Sequence, residues 1–183
     1  MKQNESLVKY ILRLALTLLA ITAVVAAILA GVNSVTAPKI AALNAQKTQN
    51  AVEAVLPGGG EEVSFTDETG LVTKVYKGGS GYAVQVAPSG FGGPITMMVG
   101  VGNDGQVLGI SIISHTETAG LGAVVAAQTA AGEAFRSQFA GMSSAVTVSK
   151  DGGQVDALTG ATITSRAVCV GVSAATACVE RMG

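Results

Sequence analysis

The chain has 183 residues, of which 13% are charged and 4% aromatic, with 24 glycines, no tryptophan and a formal net charge of −1. That length holds one membrane segment and one small domain, and no basic run with interleaved aromatics is present, which sets nucleic acid aside as a partner. With so few aromatic residues the core has to be built from Val, Ile, Leu and Ala, so a large planar ligand would be held mainly by aliphatic side chains and backbone.

From Leu14 to Val32 no residue is charged, a stretch long enough for a helix to cross the hydrocarbon layer of a lipid bilayer. Lys2, Lys9 and Arg13 precede it against Glu5 alone, and the positive-inside tendency then puts the N-terminus in the cytoplasm and the remainder outside. A cleaved signal peptide shares this pattern. Cleavage after Ala30, however, would leave bulky Ile28 where a small residue is wanted, and cleavage after Ala37 would place Pro38 directly behind the cut. Residues 1–34 are therefore expected to form an uncleaved transmembrane anchor in the cytoplasmic membrane.

Next, Ile40, Leu43, Val52 and Val55 stand among small and polar residues up to Pro57 and three glycines, the pattern of a weakly amphipathic helix with a stop signal. Residues 35–60 read as a helical stalk. The segment 61–183 has a different character. "LVTKVYKGG", "GYAVQVAPSG", "PITMMVGVGNDG" and "QVLGISIISH" are β-rich runs separated by turn residues, with Asn103-Asp104-Gly105 as a hairpin turn. A helix is expected over about Ala123 to Phe139, where Val124, Ala127, Ala131, Phe135 and Phe139 recur at helical spacing. A short strand "AVTVS" and a final helix from Thr162 follow. Strands first and helices after them predict an α+β domain, a mainly antiparallel sheet with helices on one face.

Cys169 and Cys178 lie nine positions apart on that final helix, displaced by about 13 Å along its axis, too far for a disulfide. Both are expected to be small buried packing residues. The single histidine, His115, has no cluster of metal ligands around it, so no metal is expected.

The chemistry is concentrated in three segments. In "DALTGATITSR", Asp156 to Arg166, Thr162 falls at a helix start. Two readings are open. Thr162 or Ser165 caps the helix, or the free N–H groups there seat a phosphate, with Gly160 and Ala161 removing bulk and the Thr162 hydroxyl available for esterification.

Asp156-Ala157-Leu158-Thr159-Gly160-Ala161-Thr162 resembles the flavinylation motif of the FMN-binding domain family. The resemblance implies that Thr162 carries FMN through a phosphoester bond. It also implies that Asp156, Thr159, Gly160, Ala161 and Thr162 are the recognition sequence of a separate flavin transferase, which uses FAD as donor with a magnesium ion. The second segment, "SHTETAGLG" from Ser114 to Gly122, resembles the family's second loop, with Ala119 where proline is usual. It implies cofactor contacts from His115, Glu117, Thr118, Gly120, Leu121 and Gly122; for His115 and Glu117 a surface pair beside a turn is the alternative. The third, "SGFGGPI" from Ser89 to Ile95, looks like the family's turn between two strands, where Phe91 either contacts the flavin ring or plugs the core.

Anchor, stalk and FMN domain in this order are similar to membrane-anchored components of two ion-pumping complexes, the G subunit of Rnf-type ferredoxin:NAD oxidoreductases and the C subunit of sodium-pumping NADH:quinone oxidoreductases. The shorter chain favours the first. The resemblance implies an electron carrier with no substrate turnover of its own, in contact with other subunits of the Rnf-type complex, especially its membrane-embedded D subunit, and coupled by the whole complex to movement of sodium ions or protons. A stand-alone flavinylated carrier is an alternative within the class. Two readings from other classes are a non-redox scaffold with a capped helix, and a hydrolase in which His115 and Asp156 serve a hydroxyl nucleophile.

Overall fold

The computed structural model describes residues 2–143 and 145–182, with side chains from Lys9 onward. The chain divides into two units, Met1–Ala45 and Gln46–Gly183. Helix α1 runs over Lys2–Val55, with Pro38 inside it.

Within the first unit the large apolar side chains from Leu14 to Val32 are half or more exposed, and the most apolar window of the helix has a mean hydropathy of 2.5. Such a surface is unfavourable in water and at home in hydrocarbon. Its few hydroxyls are turned inward. Thr17, Thr22, Ser34 and Thr36 each donate to a carbonyl three or four residues back, as a polar group in a lipid-facing helix must.

The second unit is built on a five-stranded antiparallel sheet in sequence order, formed by β1 (Glu61–Val63), β2 (Val72–Lys77), β3 (Gly81–Val86), β4 (Thr96–Gly102) and β5 (Val107–Ser114). The Asn103-Asp104-Gly105 turn joins β4 to β5, with the Gly102 N–H donating to the Gln106 carbonyl at 2.8 Å. β1 escapes sequence reasoning because Glu61-Glu62-Val63 shows no alternation; only its pairing with β2 makes it a strand.

The period-two pattern sorts the strands onto two faces. Tyr82, Val84 and Val86 of β3 and Met97, Val99 and Val101 of β4 face the main core. Ala83 and Met98 face a second cluster with Ala51, Val52, Val55 and Leu56 from the end of α1 and the residue after it. The main core is closed by α3 (Thr162–Met182), whose Val168, Val172, Ala175 and Val179 recur at helical spacing and are all buried in it. Helices thus cover both faces, because the last turns of α1 pack on the sheet.

Two expected elements differ. The helix expected over Ala123 to Phe139 is broken into a 3-10 turn, Gly122–Ala126, and α2, Ala130–Ser137. Ala127 turns to extended backbone, the Thr129 hydroxyl caps α2 by accepting from the Gly132 N–H, and Arg136 donates back to the carbonyls of Val125 and Ala127. Among the described residues the expected strand "AVTVS" has no neighbouring strand to pair with. Val148 makes an isolated bridge with Val155, the Val146 N–H donates to the Ser173 hydroxyl, and the buried Val146 and Val148 belong to the main core.

Cys169 and Cys178 are free and buried, as expected, and burial raises both thiols, Cys169 to about 11. At pH 8 about one Cys169 thiol in a thousand would be ionised, against about a quarter of ordinary cysteine. A maleimide should therefore label neither residue appreciably in the folded protein and both in denaturant; stoichiometric labelling of the native chain would contradict this packing.

Candidate functional site

The apolar seam that buries α3 in the core leaves Thr162 half-buried and Ile163 exposed at the helix start. Ahead of it the chain makes a tight turn, with the Ala161 N–H donating to the Leu158 carbonyl at 3.0 Å and Gly160 at φ +76, a left-handed conformation that costs glycine little. The Ala161 carbonyl accepts the first helical bond, from the Ser165 N–H at 2.9 Å, so Ala161 holds the cap position. The buried Ser165 hydroxyl laces the turn by accepting from the Leu158 N–H and donating to the Ala161 carbonyl, each at 3.0 Å.

The capping reading of Thr162 therefore does not hold. Its hydroxyl accepts instead from Lys150 Nζ at 3.5 Å. Among the described residues no hydrogen bond engages the N–H groups of Thr162, Ile163 and Thr164, as is usual for the first turn of a helix.

The loop after β5 reaches this turn through Glu117. This side chain is buried, not one of a surface pair. One carboxylate oxygen accepts from the Gly92 N–H at 2.9 Å and the other from the buried Thr164 hydroxyl. Gly122 is needed here, because a Cβ would run into the Glu117 carboxylate and the Thr164 hydroxyl. The Thr116 hydroxyl donates to the Gly92 carbonyl at 2.9 Å, so the loop after β5 and the turn between β3 and β4 are bonded twice. Phe91, at the tip of that turn, is 68% exposed and does not plug the core.

These segments enclose a cleft of ≈ 440 Å³ that brings together Phe91, Glu117, Thr118, Leu121, Gly122, Gly160, Ala161 and Thr162, with Lys150, Ile163 and Thr164, a size usual for a small-molecule site. Four expected residues lie off its lining. His115 turns to its own loop, Nδ1 accepting from the Glu117 N–H at 3.2 Å; Gly120 and Thr159 are exposed. Asp156 is exposed too, its backbone held by the Gln138 side chain at 2.7 and 3.3 Å. No hydrogen bond joins Thr162 to His115 or Asp156 among the described residues, so the base and orienting group that a hydroxyl nucleophile needs are not assembled.

Sequence reasoning missed Lys150. It sits in a 3-10 turn, Ser149–Asp151, and what could have signalled it is an acidic neighbour facing a basic residue on the final helix. Asp151 accepts from Arg166 through both oxygens, at 2.6 and 2.7 Å. The Arg166 hydrogen bonds hold the Asp151 carboxyl below its ordinary range. With the folded value lowered, the pair's support is present in full above about pH 4 and lost only as pH falls through that lowered value.

The cleft thus has two ends of different chemistry. Free N–H groups, a threonine hydroxyl and an ammonium suit an anionic head, while the exposed Phe91, Leu121 and Ile163 suit a planar apolar body. Residues 90–177 match the FMN-binding domain, a span that takes in the first two segments and all of the third but Ser89, and residues 1–55 match the RnfG N-terminal region. The chain is 33% identical to the G subunit of an ion-translocating oxidoreductase complex from Methanosarcina acetivorans, over 87% of this chain and 89% of that one. The chain belongs to the family of Rnf G subunits.

Two further members show the spread. The G subunit of a Na(+)-translocating ferredoxin:NAD(+) oxidoreductase complex from Acetobacterium woodii is 35% identical over 90% of this chain and 89% of its own length. The G subunit of a proton-translocating ferredoxin:NAD(+) oxidoreductase complex from Clostridium ljungdahlii is 45% identical over 51% of this chain and 50% of its own. As a family member the protein is a membrane-associated electron-transport subunit with an FMN-binding domain, and the cleft residues fit that cofactor. Thr162, Lys150 and the first-turn N–H groups are suited to its phosphate, and Phe91, Leu121 and Ile163 to its ring system.

Removing the Glu117 carboxylate tests the construction of the site. Glu117→Ala strands two donors and should cost about 2 kcal/mol or more, whereas Glu117→Gln keeps an acceptor and should cost less. A denaturant titration of the full chain in detergent measures the difference; equal stability of Glu117→Ala and wild type would show that the carboxylate does not hold the loops together.

Proposed function

We propose that this protein relays electrons within an Rnf-type ferredoxin:NAD oxidoreductase through FMN bound covalently to Thr162 by a phosphoester. The observation that carries the reading is that the Thr162 hydroxyl, last residue of "DALTGAT", lines the cleft, is not used as a helix cap and has the Lys150 ammonium as its one hydrogen-bond partner among the described residues. FMN accepts and donates one or two electrons, so the protein's task is attachment, orientation and tuning.

Attachment requires Thr162 Oγ to displace AMP from the FMN phosphorus of FAD, with loss of the hydroxyl proton, on a flavin transferase with a magnesium ion. The exposed Asp156 and Thr159 support this, since a second protein can read side chains that the fold has left at the surface. Gly160 and Ala161 keep the approach free of bulk, and Gly120 and His115 act through loop shape rather than contact.

In the same reading residues 1–34 anchor the chain with its N-terminus in the cytoplasm, 35–60 form a stalk whose last residues rest on the sheet, and 61–183 form the FMN domain outside. A tether then serves a purpose, because free FMN would be lost to dilution while an ester keeps it beside its electron partners. Those partners are other subunits of the complex, the membrane-embedded D subunit foremost, and the assembled complex couples electron flow to sodium ions or protons. The relatives' names include both ions.

Full-length protein co-expressed with a flavin transferase should gain about 438 Da, one FMN less water, on the peptide that holds Thr162. Thr162→Ala should lose that mass and the flavin fluorescence on a denaturing gel while remaining folded, since its side chain makes only the long contact to Lys150. Flavin retained by Thr162→Ala through denaturation would place the attachment elsewhere, and a wild type that gains no mass would leave the cleft a reversible binding site.

A further inference from the structure

Among the described residues Lys150 is the one cationic side chain lining the cleft, and the structure keeps its charge available. The nearest carboxylate in sequence, Asp151, could neutralise it, yet both Asp151 oxygens are taken by Nε and an NH2 nitrogen of Arg166. Glu117 also lines the cleft, but its two oxygens are occupied by Gly92 and Thr164. Among the described residues Lys150 makes no salt bridge. Its backbone is pinned as well, by the Arg166 contact to its neighbour, by the Val148 to Val155 bridge and by the turn at Gly152. A lysine on a fixed segment loses less freedom when it takes a partner than one on a mobile loop.

We propose that Lys150 is the counter-charge for the phosphate of FMN bound at Thr162, and that Arg166 keeps it so by occupying Asp151. The inference rests on the Thr162 attachment proposed above. A phosphodiester on Thr162 Oγ carries one negative charge, and Lys150 Nζ already stands 3.5 Å from that oxygen, so the ammonium can donate to the phosphoryl oxygens without a change of backbone. Arg166→Gln would release Asp151 to pair with Lys150, and the cleft would lose its positive charge with the lysine still in place. Lys150 is a positioning and charge-balancing residue for the phosphate.

The test uses full-length protein in detergent, made with and without a flavin transferase, as wild type, Lys150→Gln, Lys150→Arg and Arg166→Gln. Intact mass gives the initial rate of loading, and thermal unfolding gives the rise in midpoint that loading confers, at low and high salt. Lys150→Gln and Arg166→Gln should load about twofold to fivefold more slowly, the range of an exposed ion pair. They should also gain less on loading than wild type does, with the salt dependence of the gain removed, while their empty forms melt as wild type does or, for Arg166→Gln, slightly lower. Lys150→Arg should behave as wild type. A Lys150→Gln protein that gains the full wild-type increment, with its salt dependence, overturns the inference at any loading rate; one that cannot be loaded while Lys150→Arg can supports it. A wild type that takes up no FMN mass fails the Thr162 reading instead, so the two failures are distinct.

Discussion

The site depends on one buried carboxylate. Glu117 is the only charged side chain among the buried described residues, and a carboxylate taken out of water is tolerated only when its oxygens are hydrogen-bonded. The two donors come from segments far apart in the chain, the Gly92 N–H in the turn between β3 and β4 and the Thr164 hydroxyl in the first turn of α3. Satisfying Glu117 therefore draws three separate segments to one point, and the cleft is the space they leave around it. Among the described residues Glu117 makes no salt bridge with Lys150.

Packing and chemistry are divided along α3. Val168, Val172, Ala175 and Val179 belong to the core against the sheet, which fixes where the helix begins and how it is oriented. Its first turn buries Thr164 and Ser165 and leaves the Thr162 hydroxyl lining the cleft. Because Ser165 and Ala161 satisfy the preceding turn, Thr162 carries no structural duty there. The attachment proposed for Thr162 is compatible with that position, because the fold does not need its hydroxyl.

Charge is handled by the same economy. Arg166 and Asp151 form a fork-to-carboxylate pair on the surface, a contact of small worth for stability. Its consequence is local, since it holds the turn that carries Lys150, which makes no salt bridge among the described residues and stands beside Thr162. At the other end of the cleft the apolar side chains of Phe91, Leu121 and Ile163 stay exposed, a surface that gains from a flat ligand covering it.

Most of the scaffold was legible in the chain itself. The uncharged run from Leu14 to Val32, the β-rich runs of β2 to β5 between their turn residues, the Asn103-Asp104-Gly105 turn and the start of α3 at Thr162 each rest on interactions between near neighbours. Local geometry decides those, so local patterns reveal them. The "DALTGAT" and "HTETAGLG" segments were legible for the same reason, as contiguous motifs. What tertiary structure alone decided is made across distance: β1 became a strand by pairing, the run from Ala123 broke where Arg136 reaches back to Val125 and Ala127, and "AVTVS" lost its ladder for want of a neighbour. The burial of Glu117 spans 47 positions to Thr164, and the placing of Lys150 spans 12 to Thr162. No periodicity encodes such pairings, because each depends on how the sheet and helix bring remote segments together.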